Sequence, residues 1–180
     1  MYPEVKFPEF LVDCAEAVKY ITDHMSEYGT VRRTLLGGNS AGAYITLMLA
    51  FDEHYLADAG VDRSRIAAYV SDSSQITTHY RVLRDRGLDS RLERIDEAAV
   101  IYHLSENSSF GHLLLIAYTN DIPCRLEQNQ LFFKSVQRLC PDQHVELVVL
   151  EGKHVNGAVS RNEKGTFDYN DTLLAFLKSL

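Results

Sequence analysis

Thr34-Leu35-Leu36-Gly37-Gly38-Asn39-Ser40-Ala41-Gly42-Ala43-Tyr44 is the stretch whose reading decides the fold. The short apolar run 34–36, bounded by glycines, reads as a buried strand, and a helical pattern runs from Ala41 through Leu49 to about Tyr55. Between them the chain must turn sharply from a strand end into a helix. Such a turn strains the serine backbone and needs small neighbours, and Gly38, Ala41 and Gly42 around Asn39 and Ser40 supply that room. It lifts the Ser40 hydroxyl above the sheet edge and sets it at a helix N-terminus, where free N–H groups favour negative charge. Ser40 is therefore read as a nucleophile, with the Ala41 N–H as an oxyanion donor. A Gly/Ser string alone also fits a plain tight turn; the strand before and the long helix after favour the elbow.

Outward from this stretch, strand and helix patterns alternate. Upstream, Leu11, Cys14, Ala15, Val18, Ile21 and Met25 recur at helical spacing and the pattern stops at Gly29. Downstream, 66–70 reads as a second buried strand ending in Ser71-Asp72-Ser73-Ser74, 112–118 as a third and 145–150 as a fourth. Residues 124–139 read as a helix with Leu126, Leu131, Phe132 and Val136 on one side, and 172–180 as a closing helix. The charged stretch at about 76–110 looks like a cap-like excursion rather than core. Four strands alternating with helices predict a three-layer α/β/α fold with a mostly parallel sheet, in one domain over 1–180.

The bulk properties narrow the function. The chain has 180 residues, 46% of them hydrophobic, so it can bury a real core. No apolar run approaches the roughly 18 residues of a spanning helix. A net charge of −7 argues against nucleic acid and anionic membrane surfaces as partners and says little more. Three cysteines, Cys14, Cys124 and Cys140, form no CxxC pair and read as unpaired thiols in a reducing compartment. With no signal-peptide pattern, a cytoplasmic location is expected. No ligand spacing suits a metal, and neither metal nor cofactor is expected.

A nucleophilic serine needs a base and a group to orient it, and on this kind of sheet they follow in the order serine, acid, histidine, each just past a strand end. Asp121 follows the third strand and His154 follows the fourth, so both fit. Asp121 could instead cap the helix after it, and His154 could be an ordinary loop histidine, but it alone among the seven histidines directly follows a core strand, and the acid and base readings are preferred. Asp72, after the second strand, is the alternative acid. His79, His103 and His112 read as surface or core-edge residues, and Ser71, Ser73 and Ser74 as lining the same mouth. Tyr102, Phe110 and Tyr118 could wall an acyl pocket but read more simply as core.

These residues together carry a resemblance. The elbow GGNSAGAY, the strand and loop LLLIAYTND, the segment CRLEQNQLF and the loop LEGKHVNG resemble the α/β-hydrolase superfamily. Within it they look like the esterase/lipase branch of hormone-sensitive lipase and the bacterial acetyl-xylan and feruloyl esterases. The excursion also looks like that branch's segment, and the opening YPEVKFPEF is similar to its YRLAPE-x-x-FP stretch. The resemblance implies Ser40 as nucleophile, Asp121 as acid, His154 as base and the Ala41 N–H as oxyanion donor. The implied reaction is hydrolysis of a small acyl, carbohydrate or phenolic ester through an acyl-serine.

The departure from the family is at the start. Its His-Gly-Gly oxyanion motif lies upstream of the YRLAPE-like stretch, and here Met1 falls inside that stretch. The four strands correspond to the family's fifth to eighth, a partial fold whose first strand, at 34–36, would expose an apolar edge. A chain begun at an internal methionine of a longer protein is expected, in preference to a natural short form whose edge a second copy covers. Loss of an oxyanion donor costs roughly 10²–10³ in turnover, so the chain alone is expected to be a weak enzyme. An amidase or formamidase on the same fold, or a non-catalytic binding module, are the alternatives.

Overall fold

Runs of apolar residues too short for helices form four strands: Thr34–Asn39 (β1), Ile66–Asp72 (β2), His112–Asn120 (β3) and His144–Lys153 (β4). They pair in parallel in the order β1-β2-β3-β4. The structure is a computed structural model that describes residues 3–180; Met1 and Tyr2, the latter opening the YPEVKFPEF stretch, lie outside the described residues. Parallel neighbours need crossovers, which here contain helices. Helix α1 (Glu9–His24) precedes β1; Ala41–Phe51 (α2) and His54–Asp58 (α3) join β1 to β2. Tyr80–Asp85 (α4) lies between β2 and β3, Arg125–Leu139 (α5) between β3 and β4, and Asn156–Val159 (α6) and Asp168–Ser179 (α7) close the chain.

Alternation along the strands divides the interior into two layers. Tyr69, Leu113 and Leu115 face Leu47, Phe51, Phe132 and Val136 of α2 and α5. Ala68, Val70, Leu114, Ile116 and Tyr118 face Phe176 of α7. Because both faces are covered, Leu113 to Tyr118 of β3 are all fully buried, which explains an apolar run with no alternation in it. The three-layer α/β/α arrangement thus stands as expected. β1 lies at the sheet edge, and among the described residues only β2 pairs with it. No helix among the described residues is long and apolar enough to cross a membrane.

Three details differ from the sequence reading. The single helix expected to run to about Tyr55 breaks at Asp52, whose backbone leaves the helical region (φ −94°, ψ 88°). The stretch 76–110 is not all excursion: Ile76 and Val100 belong to the main core, Ala98 and Ala99 are buried, and the Tyr44 hydroxyl donates to the Ala98 carbonyl at 2.8 Å. Charge in its centre masks the apolar ends. On α5, Leu131 is 57% exposed while the adjacent Phe132 is fully buried; the helix turns its apolar stripe through Phe132 and Val136 and gives the rest of its inner face to polar groups. Phe132→Ala should therefore cost about 3–5 kcal/mol in urea denaturation and Leu131→Ala under about 1 kcal/mol. Equal losses at the two positions would contradict this packing.

Candidate active site

The parallel register brings all four strand C-termini to one end of the sheet. Asn39 pairs with Asp72, Asp72 with Ile116, and Asn120 with Lys153, so the residues that follow share one rim. Ser40 sits between β1 and α2 at φ 54°, ψ −112°, a region that costs a non-glycine residue of order 1–3 kcal/mol. Its strain is held by the Ser40 N–H donating to the Asp72 carbonyl at 2.8 Å and by the Ser40 carbonyl accepting from the Tyr44 N–H at 3.0 Å. Gly38 is required here, since a Cβ on it would run into the backbone of Gly42 and Ala43. Ala41 is the first residue of α2, so no intrahelical carbonyl can reach its N–H.

The expected partners converge on this hydroxyl. His154 Nε2 lies 2.8 Å from Ser40 Oγ, and His154 Nδ1 lies 2.6 Å from Asp121 Oδ1. The Ile122 N–H donates to the same Asp121 oxygen at 2.7 Å. The Asp121 carboxyl group is 1% exposed. Burial opposes its ionisation, but hydrogen bonds from His154, Ser73 and the Ile122 N–H outweigh burial and hold its pKa below the ordinary carboxylate value. A carboxylate that stays ionised fixes the imidazole with its hydrogen on Nδ1, leaving the Nε2 lone pair to receive a proton from Ser40. The ordered pair Asp121 and His154 is thus brought to Ser40.

Asp72, the alternative acid, is not the imidazole's partner. It is fully buried, its Oδ2 accepts from Asn39 Nδ2 at 2.5 Å, and the Tyr118 hydroxyl also hydrogen-bonds to its carboxyl group. The register sets its side chain beneath the elbow, beside Tyr118, rather than at the rim. Burial pushes its pKa up to about 6, with the hydrogen bonds from Asn39 and Tyr118 and the nearby His154 only partly offsetting it. Asn39 accordingly braces the elbow from below.

Ser71, Ser73 and Ser74, expected to line the mouth, are all fully buried behind the rim, and the polar residues of α5 that support them were missed. Ser73 follows β2 at φ 64° and is fully buried. Its hydroxyl contacts both Asp121 Oδ2 and, at 2.8 Å, His154 Nδ1. Arg125 Nη1 donates to the Ser73 carbonyl at 2.8 Å, Asn129 Nδ2 to the Ser74 carbonyl at 2.9 Å, and the Ile76 N–H to Gln128 Oε1 at 2.9 Å. Arg125, Gln128 and Asn129 lie on the inner face of α5, all 9% exposed or less. The available signal was polar residues one turn apart on a helix that must cover a sheet. Of the other named residues, only His79 lines a cavity beside the elbow, the one that holds Ala41. His79 is buried between the Tyr44 and Tyr80 rings, and burial, reinforced by Arg125 and Arg81, lowers its pKa to about 4, so it is neutral. Tyr118 and Phe110 are core, while Tyr102 is 59% exposed.

Two cavities meet at Ser40 and Ala41. One of about 500 Å³ holds Ser40 and His154 with Tyr80, Glu93, Ile122 and Arg125. The other, about 310 Å³ and mainly apolar, holds Ala41 with Phe10, Tyr44, Ile45 and Val82. Tyr80 borders both. A third, of about 530 Å³, lies at the opposite end of the sheet around Arg33, Tyr69 and His112 and contains none of the hydrogen-bonded chain. Among the described residues no group of histidines, cysteines and carboxylates is placed to hold a metal ion.

Comparison with known proteins adds three findings. A family model described as alpha/beta hydrolase fold matches residues 1–97. No curated protein matches the chain. Among solved structures, esterase B from Lactobacillus rhamnosis superposes with a TM-score of 0.72 at 15% identity, over 99% of this chain and 62% of that one. A thermophilic esterase from Thermogutta terrifontis gives 0.69 at 16% identity, over 99% and 65%. An esterase from Pyrococcus furiosus gives 0.65 at 21% identity, over 97% and 63%. The chain thus spans less than two thirds of the length of these structures.

The state of Asp72 has a measurable consequence. Its raised pKa means that the folded protein favours the neutral carboxyl, so stability from this group is present below the unfolded value near 3.8 and lost as pH rises through about 6. Asp72→Asn, neutral at every pH, should match wild type near pH 4 and exceed it at pH 8 by up to about 3 kcal/mol. Urea denaturation at both values checks this, and a difference independent of pH would contradict it.

Proposed function

The chain belongs to the alpha/beta hydrolase fold family, and on that premise we propose that it hydrolyses carboxylic esters through an acyl-enzyme on Ser40. The reading is carried by one observation: the unbroken hydrogen-bond chain from Ser40 Oγ through His154 to Asp121, launched from a positive-φ elbow. His154 Nε2 takes the hydroxyl proton as Ser40 Oγ attacks the ester carbonyl, and Asp121 stabilises the resulting imidazolium. The Ala41 N–H, free at the start of α2, donates to the oxyanion. As the tetrahedral intermediate collapses, His154 returns its proton to the leaving alcohol. Water then enters, His154 deprotonates it, and the same steps release the acid and restore Ser40.

The two cavities divide the substrate. The smaller, apolar one beside Ala41 suits a short acyl chain. The larger one, with Tyr80, Glu93 and Arg125 on its walls, suits an alcohol or phenol that carries polar groups. The substrate is thus a small-molecule ester.

An organophosphate is the direct test, and the Thermogutta terrifontis esterase of similar fold has been captured phosphorylated by paraoxon. A fluorophosphonate probe should label the folded wild-type chain and not Ser40→Ala. Hydrolysis of p-nitrophenyl acetate should fall about 10⁴-fold or more in Ser40→Ala and in His154→Ala. The double variant should fall no further than either alone, because the two residues act as one unit. A folded wild-type chain that neither labels nor turns over would sink the reading, and multiplicative losses in the double variant would sink the shared role.

A further inference from the structure

We propose that Ser73 is a positioning residue for the Asp121–His154 pair, acting through its hydroxyl; this rests on the reading of Ser40 as the nucleophile. Ser73 is the first residue past β2, fully buried, with φ 64°. Glycine adopts that backbone without cost and serine does not. The turn by itself therefore gives no reason for a side chain, and what the side chain touches supplies one.

The hydroxyl stands on a fixed mount. The Ser73 N–H donates to the Ile116 carbonyl at 2.8 Å, and its carbonyl accepts from the buried Arg125 guanidinium at 2.8 Å. The backbone is thereby tied to β3 on one side and α5 on the other.

Proton accounting then fixes the direction of each bond. An ionised Asp121 only accepts, so the single Ser73 hydroxyl proton goes to Asp121 Oδ2. The oxygen's lone pairs are left facing His154 Nδ1 at 2.8 Å, and the Nδ1 hydrogen is shared between Ser73 Oγ and Asp121 Oδ1. The three groups close a triangle. Both carboxylate oxygens are engaged, since Oδ1 also accepts from the Ile122 N–H at 2.7 Å, so the carboxylate cannot rotate. When His154 becomes an imidazolium it finds two oxygens already directed at Nδ1, with no side chain left to reorient. Ser73 touches neither the nucleophile nor the substrate cavity and acts through the base.

The test compares Ser73→Gly with Ser73→Ala in the full chain. Glycine relieves the positive φ, so a role confined to the turn predicts that Ser73→Gly is at least as active as wild type. Positioning predicts that both variants lose about ten- to hundredfold in kcat for p-nitrophenyl acetate, the worth of a hydrogen bond to a charged group. KM should stay within about twofold and cooperative thermal unfolding should be kept. In proton NMR the downfield His154 Nδ1 hydrogen should shift in both variants. Retention of kcat within about twofold together with an unmoved resonance overturns the proposal. If wild type shows neither hydrolysis nor labelling, the esterase reading fails on its own. The resonance compared in a Ser40→Ala background then still decides for or against the Ser73 contact.

Discussion

The hydrogen bond from the Ser40 N–H to the Asp72 carbonyl is the tie on which the site depends. It continues the β1–β2 ladder one step beyond the Asn39–Asp72 pair, so the sheet itself holds the elbow in a conformation that serine would not adopt alone. The glycine contacts of Gly38 permit that geometry, and the ladder enforces it. The next residue of β2's path, Ser73, contacts Asp121 and His154. One strand end therefore braces the serine on one side and its two partners on the other.

Behind this rim, α5 solves an accounting problem. The loop from Ser73 to Thr78 is almost entirely buried yet belongs to neither helix nor strand, and its peptide groups need partners. Arg125, Gln128 and Asn129 provide them, which is why a core-facing helix can carry three polar side chains at so little exposure. The same low-dielectric setting separates two carboxyl groups that end neighbouring strands. Asp121, with donors on both oxygens, ionises readily; Asp72, whose burial outweighs the hydrogen bonds from Asn39 and Tyr118, resists. Environment alone moves the pKa values of identical side chains in opposite directions.

How much could be read beforehand follows from how local each signal is. The elbow, the four strands and the placement of Asp121 and His154 after strand ends rest on short segments, and they were legible. The choice between Asp121 and Asp72 was not settled by position along the chain, because both follow a strand; it depends on how far each side chain stands from the imidazole once β2, β3 and β4 are in register. Ser73 looks like any serine in a Ser-rich loop, since nothing in the sequence marks a left-handed backbone in a non-glycine residue. Leu131 and the inner polar face of α5 escaped for a related reason: counting apolar positions finds a stripe but not the neighbours it meets. His79 read as a surface or core-edge residue because the surrounding charge hid a buried segment.

His154 follows β4, one of the two edge strands. β4 has no fully buried residue in its ten, whereas β3 is buried almost throughout, and the contact it delivers to Ser40 spans 114 positions of sequence. Local opening favours sparsely covered edges over packed centres. Detachment of this margin would withdraw the imidazole from Ser40. The Ser40–His154 contact thus depends on a strand margin, while the elbow itself depends on the β1–β2 tie.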